Sequence, residues 1–176
     1  MGKPFSSRLE PTITNYYVEK GFVINKNNYK LKIWDTIGEE KFRTLTKIFY
    51  KQSKIVIFVY DKANKKSFNE LNYWVNEVKE TLDNSKYVIG IVGNKDDLED
   101  KEDDVNEEEA RLYANNMNAK FKMVSAKNGG KEFETFLKEL LNDFIEKCNG
   151  KIERDITSIV LNKKLHGKMK KKSCCN

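Results

Sequence analysis

The chain has 176 residues, of which 39% are apolar, 11% aromatic and 34% charged; that is enough for one domain with a sizeable core and argues against disorder. The formal net charge of +6 is uneven: residues 150–176 carry eight Lys or Arg against Glu153 and Asp155, while the remainder has 25 basic and 25 acidic residues. A neutral body with a basic tail speaks against nucleic-acid binding, which spreads positive charge over a folded face, and no apolar stretch reaches the length that spans a bilayer.

The N-terminal stretch MGKPFSSRLEPTI has no apolar core of the kind a secretory signal needs, so the chain is expected to start in the cytosol. Of the cysteines, Cys174 and Cys175 are adjacent and nearly terminal and Cys148 edges a helical stripe; this is no disulfide framework.

Tyr16 to Asp35 holds two strand-like halves about a polar turn at Lys26-Asn27-Asn28. In the second half Leu31 and Ile33 share one face, and Lys30, Lys32 and Trp34 the other, so one face of this hairpin is solvated. KIVIFVYD (54–61) and YVIGIVGN (87–94) are continuous apolar runs, the habit of strands covered on both faces of a parallel sheet. AKFKMVSA (119–126) is a weaker strand. Helical patterns lie between: 66–82 with Phe68, Leu71, Val75, Val78 and Leu82 on one stripe, 107–117, and 131–148 with Phe133, Phe136, Leu137, Leu140, Leu141, Phe144 and Ile145. Strands alternating with helices predict crossover units and a three-layer α/β domain. From about Gly150 the rhythm stops and a flexible lysine-rich tail is expected, giving a domain over 1–149 and a tail over 150–176.

In an open α/β sheet, ligands bind at the carboxyl ends of the strands. Four polar clusters fall there: Asp35 to Gly38, Asp61, Asn94 to Asp97, and Ser125 to Lys127.

The ordered set of motifs resembles the small GTPases of the Ras superfamily, and specifically the Rab family. PTITNYY (11–17) resembles the first switch, WDTIGEEKFRTLT (34–46) the second, NKDD (94–97) the guanine-reading motif and SAK (125–127) the last base-contact loop. FYKQS and FVYDKA also look like Rab segments. Separations of 23, 59 and 31 residues between Thr12, Asp35, Asn94 and Ser125 fit the family order. The resemblance implies an α/β/α, P-loop NTPase-like small G-protein fold with a mostly parallel sheet. It implies a switch between GTP and GDP, with Mg²⁺, in vesicle-mediated membrane trafficking.

The same resemblance assigns roles. Asp97 would accept from N1–H and the 2-amino group of guanine, a donor pair that adenine lacks. Asn94 would fix the loop, Lys95 would lay its alkyl stem along the base, Ser125 and Lys127 would frame the pocket, and the Ala126 amide would meet O6. Asp35 and Thr12 would hold Mg²⁺, and the Gly38 amide would touch the γ-phosphate. Glu39 stands at the family's water-orienting glutamine, and Ile37 replaces an alanine beside it. A carboxylate near the transferring phosphoryl group predicts slow hydrolysis. Tyr17, Trp34 and Phe49 align with an aromatic patch that reads effectors; the alternative is that Trp34 merely covers the sheet. Exchange-factor and activating proteins are the other implied partners.

KMKKKSCCN resembles the Rab double-cysteine signal, so Cys174 and Cys175 would carry geranylgeranyl groups. Two lipid chains with nearby lysines bind a membrane stably, which places the protein reversibly on the cytosolic face of endomembranes. Asn176 makes the ending CCX; a CaaX box would need cysteine where Ser173 stands.

One family element is missing from the expected place. A strand, a G-x-x-x-x-G-K-[ST] loop and a helix should precede the first switch, about 25 residues, but only eleven precede Thr12. Gly2-Lys3 could end such a motif, yet Pro4 follows where a hydroxyl is needed. Loss of that central strand predicts two unpaired sheet edges and a hole in the core. A nucleotide-free, membrane-tethered binding module and an incomplete gene product therefore stand as alternative readings.

Overall fold

The computed structural model describes residues 16–35, 51–82, 86–152 and 155–162. Strands β1 (Tyr16–Ile24) and β2 (Asn27–Asp35) form an antiparallel hairpin in which Ile24 faces Asn27. The turn is thus Asn25-Lys26, one residue earlier than the polar cluster suggests. Both residues have positive φ, 51° and 64°, as a tight hairpin turn matched to the strand twist requires.

After the hairpin come β3 (Ile55–Asp61), α1 (Lys65–Asn69), α2 (Leu71–Thr81), β4 (Val88–Asn94), α3 (Glu107–Asn116), β5 (Lys120–Val124) and α4 (Lys131–Lys147). The single helix expected over 66–82 is therefore two. Asn64 caps α1 by accepting from the Ser67 amide at 3.2 Å, and the backbone breaks at Glu70. The apolar stripe runs on through the break: Phe68, Leu71, Val75, Val78 and Leu82 are all buried, which is why periodicity alone does not reveal it.

β3 and β4 alternate their side chains between two cores. Val56, Phe58, Tyr60, Ile89 and Ile91 face α1, α2 and α3. Ile55, Ile57 and Val92 face α4 together with Leu31 and Ile33 of the hairpin. α4 lies so close that a Cβ on Gly90 would stand 2.7 Å from Leu140 Cδ1 and 2.9 Å from Phe136 Cε1; only glycine permits that approach. The three layers and the parallel majority match the expected fold class.

The largest departure lies beyond Gly150. Asp155–Asn162 is a strand, β6, within the segment assigned above to a flexible tail. The sheet order is β1-β2-β6-β3-β4-β5, so β6 is central. It runs parallel to both neighbours, pairing Lys30–Asp35 on one side and Ile55–Val59 on the other. The expected unpaired edges of β2 and β3 are paired, and the expected hole is filled: Ile156 is 2% exposed in the α4-side core. DITSIVLN is rich in β-branched residues, which suits a central strand; the lysines after it mask that signal.

Candidate functional site

The connections after β4 and β5 leave the sheet on opposite faces. β4 leads to α3, whose Ala110 and Ala114 pack with Phe58 and Ile91. β5 leads to α4, whose Leu137 and Leu140 pack with Ile57 and Val92. Such divergence is where ligands enter open α/β sheets, at the carboxyl ends of the strands; here those ends carry Asn94–Asp97 and Ser125–Lys127.

Cross-loop hydrogen bonds hold these two loops together. Ser125 Oγ donates to Asp97 Oδ1 at 2.5 Å and accepts from the Asn128 amide at 3.2 Å. The Ala126 amide donates to Asn94 Oδ1 at 3.1 Å, and the Asp96 amide to the Val124 carbonyl at 3.1 Å. Lys127 Nζ stands 3.3 Å from Asp97 Oδ2. The Asp97 side chain is 11% exposed. Ser125, and after it Lys127, hold its carboxyl below the usual carboxylate range. Its own backbone N–H bonds the carboxylate as well. Asp97 is therefore anionic and anchored by its neighbours. The motif pattern assigns the Ala126 amide to a ligand carbonyl; here its partner is Asn94.

Two residues outside the expected set steady these loops. Asp61 Oδ2 lies 2.6 Å from Lys95 Nζ, and its Oδ1 accepts from the Ala63 amide at 3.0 Å. Lys95 has φ of 71°, a conformation that disfavours a side chain. Lys62 is buried. Its amine donates to the Leu98 carbonyl at 3.1 Å and pairs with Asp100 and, at 4.0 Å, Asp96. Its backbone N–H donates to the Asn94 carbonyl at 3.0 Å. The bond to Asp100 raises the Lys62 pKa, so the amine stays charged. A strand-end aspartate is visible in the sequence at 61, but its lysine partner is not; Lys62 gives no signal beyond following a buried strand.

Along the same sheet edge, Asp35 ends β2, exposed and in register with Val160 of β6. Trp34 does not stand free on a solvated face as expected: it is half-buried, packed against the core under α1 to α3. Tyr17 stacks on it with centroids 4.8 Å apart and is itself 45% exposed. Thr12, Gly38, Glu39, Phe49, Cys174 and Cys175 lie outside the described residues. Among the described residues no group of three or more His, Cys, Asp or Glu gathers to hold a metal, and no helix is long and apolar enough to cross a membrane.

A model of the Ras family matches residues 1–146. Rab-21 of Geodia cydonium is 38% identical over 133 residues, covering 76% of this chain and 57% of its own length. Rab-22A of Mus musculus is 36% identical over 133 residues, covering 76% of this chain and 68% of its own. Rab-21 of Homo sapiens is 38% identical over 133 residues and is covered over 58% of its length. The matched part thus spans less than two thirds of the Rab-21 proteins.

Proposed function

The chain belongs to the Ras family, among its Rab members, and from that premise we propose that it is a guanine-nucleotide switch of vesicle-mediated membrane trafficking. One observation carries the reading: an anionic Asp97, fixed by Ser125 and Lys127, lies where the loop after β4 is bonded to the loop after β5 through Asn94 and Ala126.

Asp97 accepts the N1–H and 2-amino protons of guanine. Adenine offers no such pair and would leave a carboxylate unpaired, which site energetics punish strongly. Lys95, tethered by Asp61, lays its stem along the base, and Asn94 keeps the Ser125–Lys127 loop closed. Bound magnesium supplies charge neutralisation at the phosphates; Asp35, exposed at the end of β2, is an oxygen ligand suited to it through water, with Thr12 as its partner. Gly38 contacts the terminal phosphate, and Glu39 in place of the family glutamine slows hydrolysis. Cys174 and Cys175 carry the prenyl anchor, while Tyr17, Trp34 and Phe49 meet effectors. Activating and exchange proteins act on the same switch.

The decisive experiment compares guanosine and xanthosine diphosphates on the purified chain and on Asp97→Asn. Xanthine carries a carbonyl where guanine has its amino group. The native chain should prefer GDP, and the amide variant should reverse that preference. An unchanged preference removes the reading. Heat extraction followed by anion exchange should release GDP or GTP; a folded chain that releases neither is instead the nucleotide-free binding module.

A further inference from the structure

The segment from Lys95 to Val105 joins β4 to α3 and carries Asp97. Lys62, the residue after β3, is bonded to both of its ends. The Lys62 backbone N–H donates to the Asn94 carbonyl at 3.0 Å, and its carbonyl accepts from the Val105 amide at 3.0 Å. Between these points the Lys62 amine donates to the Leu98 carbonyl at 3.1 Å and pairs with Asp100 and, at 4.0 Å, with Asp96. Asp97 lies in a turn closed by the Leu98 amide on the Lys95 carbonyl at 3.0 Å. It therefore stands between two residues, Asp96 and Leu98, that one amine holds.

Lys62 is 8% exposed, and a cation taken this far out of water is tolerated only when it is paired and hydrogen-bonded. The side-chain partners named above, Asp96, Leu98 and Asp100, belong to a single loop. Those partners are not bound by the same demand: the Asp100 side chain is 87% exposed and that of Asp96 48%, so water serves either carboxylate. The buried amine is thus the member that fixes the geometry. On the opposite side the Asp96 amide bonds the Val124 carbonyl at 3.1 Å and Ser125 bonds Asp97. The turn that carries Asp97 is gripped between β5 and Lys62.

We propose that Lys62 is a positioning residue for guanine selectivity: its amine and backbone hold the turn that carries Asp97 where the carboxylate meets the 2-amino group of the base. The proposal rests on the guanine-nucleotide reading and deepens it with a residue on the neighbouring strand. Ser125, Lys127 and the Asp97 backbone N–H keep the Asp97 carboxyl depressed. What Lys62 adds is the place of that carboxylate, and hydrogen bonds weaken steeply once distance and angle leave their narrow range.

The test measures dissociation constants of GDP and of inosine diphosphate by calorimetry, using the full chain, Lys62→Met and Asp100→Asn. Hypoxanthine differs from guanine only in lacking the 2-amino group, so the ratio of the two constants isolates the contact made by that group. The native chain should prefer GDP by about tenfold or more, the worth of a hydrogen bond to a charged acceptor. Lys62→Met keeps the alkyl stem and removes the amine. It should shrink that preference several-fold, with affinity for inosine diphosphate falling less than affinity for GDP. Asp100→Asn changes an exposed loop residue; it should shrink the preference in the same direction and add nothing in the Lys62→Met background. A merely structural role would weaken both nucleotides in proportion. A preserved ratio in folded Lys62→Met therefore overturns the proposal, and where that variant does not fold, a preserved ratio in Asp100→Asn overturns it instead. A native chain that binds the two nucleotides equally removes the guanine reading itself, and Lys62 loses this role with it.

Discussion

Ser125 and Asp97 are joined by a 2.5 Å hydrogen bond across 28 positions of sequence, so the loop after β5 lowers the pKa of a carboxyl in the loop after β4. Without its donor, Asp97 would titrate closer to the ordinary value of 3.8. The native carboxyl is depressed, so its contribution to stability is present above pH 3.8 and fades as pH falls through the lower folded value. Ser125→Ala should therefore raise the Asp97 pKa toward 3.8 and move the onset of acid unfolding to higher pH, leaving stability around neutral pH free of titration at this group. Carbon-detected NMR of the Asp97 carboxyl across an acid titration reads this directly; an unmoved midpoint would show that the serine is not the cause.

The Asp61–Lys95 pair calls for a different measurement. Lys95 is 52% exposed and Asp61 26%, and pairs this open contribute little to folding, about 0–1 kcal/mol. Their value is positional. Asp61→Asn should shift the melting temperature by no more than a few degrees while lowering guanosine affinity several-fold. In the Lys95→Ala background the same change should do nothing further to guanosine affinity. Additive losses from the two substitutions would mean that Asp61 acts elsewhere.

Much of this arrangement is legible in the amino-acid sequence itself. β3 and β4 are recognisable as buried parallel strands because they are apolar on both faces, and the α4 stripe as core because seven apolar residues repeat at helical spacing. The NKDD and SAK loops are identifiable because the strand rhythm places them at carboxyl ends. What the sequence hides depends on contacts across the chain. Nothing local tells that Asp61 meets Lys95, that Ala126 donates to Asn94, or that Trp34 is covered from the α1 side. β6 is hidden for a different reason. ITSIVL has strand composition, but a lone strand after the last helix, followed by lysines, reads as tail until the vacancy between β2 and β3 is seen to need it.

The hairpin turn holds a local misfit. Lys26 adopts φ of 64°, where a residue with a Cβ pays roughly 1–2 kcal/mol relative to its preferred conformations, and Asn-Gly is the favoured pair for this turn. Lys26→Gly should therefore stabilise the protein by about 1 kcal/mol, partly offset by the greater freedom of glycine when unfolded. Chemical denaturation of the two proteins decides it. A loss of stability would place the turn in another geometry.

The role of β6 in the fold can be separated from any role in binding. Ile156 is 2% exposed and sits in the core with Leu31, Leu141 and Phe144. Removing its side chain from a packed interior should cost about 2–5 kcal/mol, counting both lost transfer energy and the cavity left behind. A residue of a solvated tail would change stability by less than about 0.5 kcal/mol. The two expectations do not overlap, so urea unfolding of Ile156→Ala distinguishes them. Leu112→Ala provides the internal standard, because Leu112 is a large apolar residue 54% exposed on α3, where truncation should cost little. A large loss for Ile156 beside a small one for Leu112 establishes that the C-terminal strand completes the sheet in solution. Equal, small losses would return residues 155–162 to the tail and leave the edges of β2 and β3 to be covered by something else.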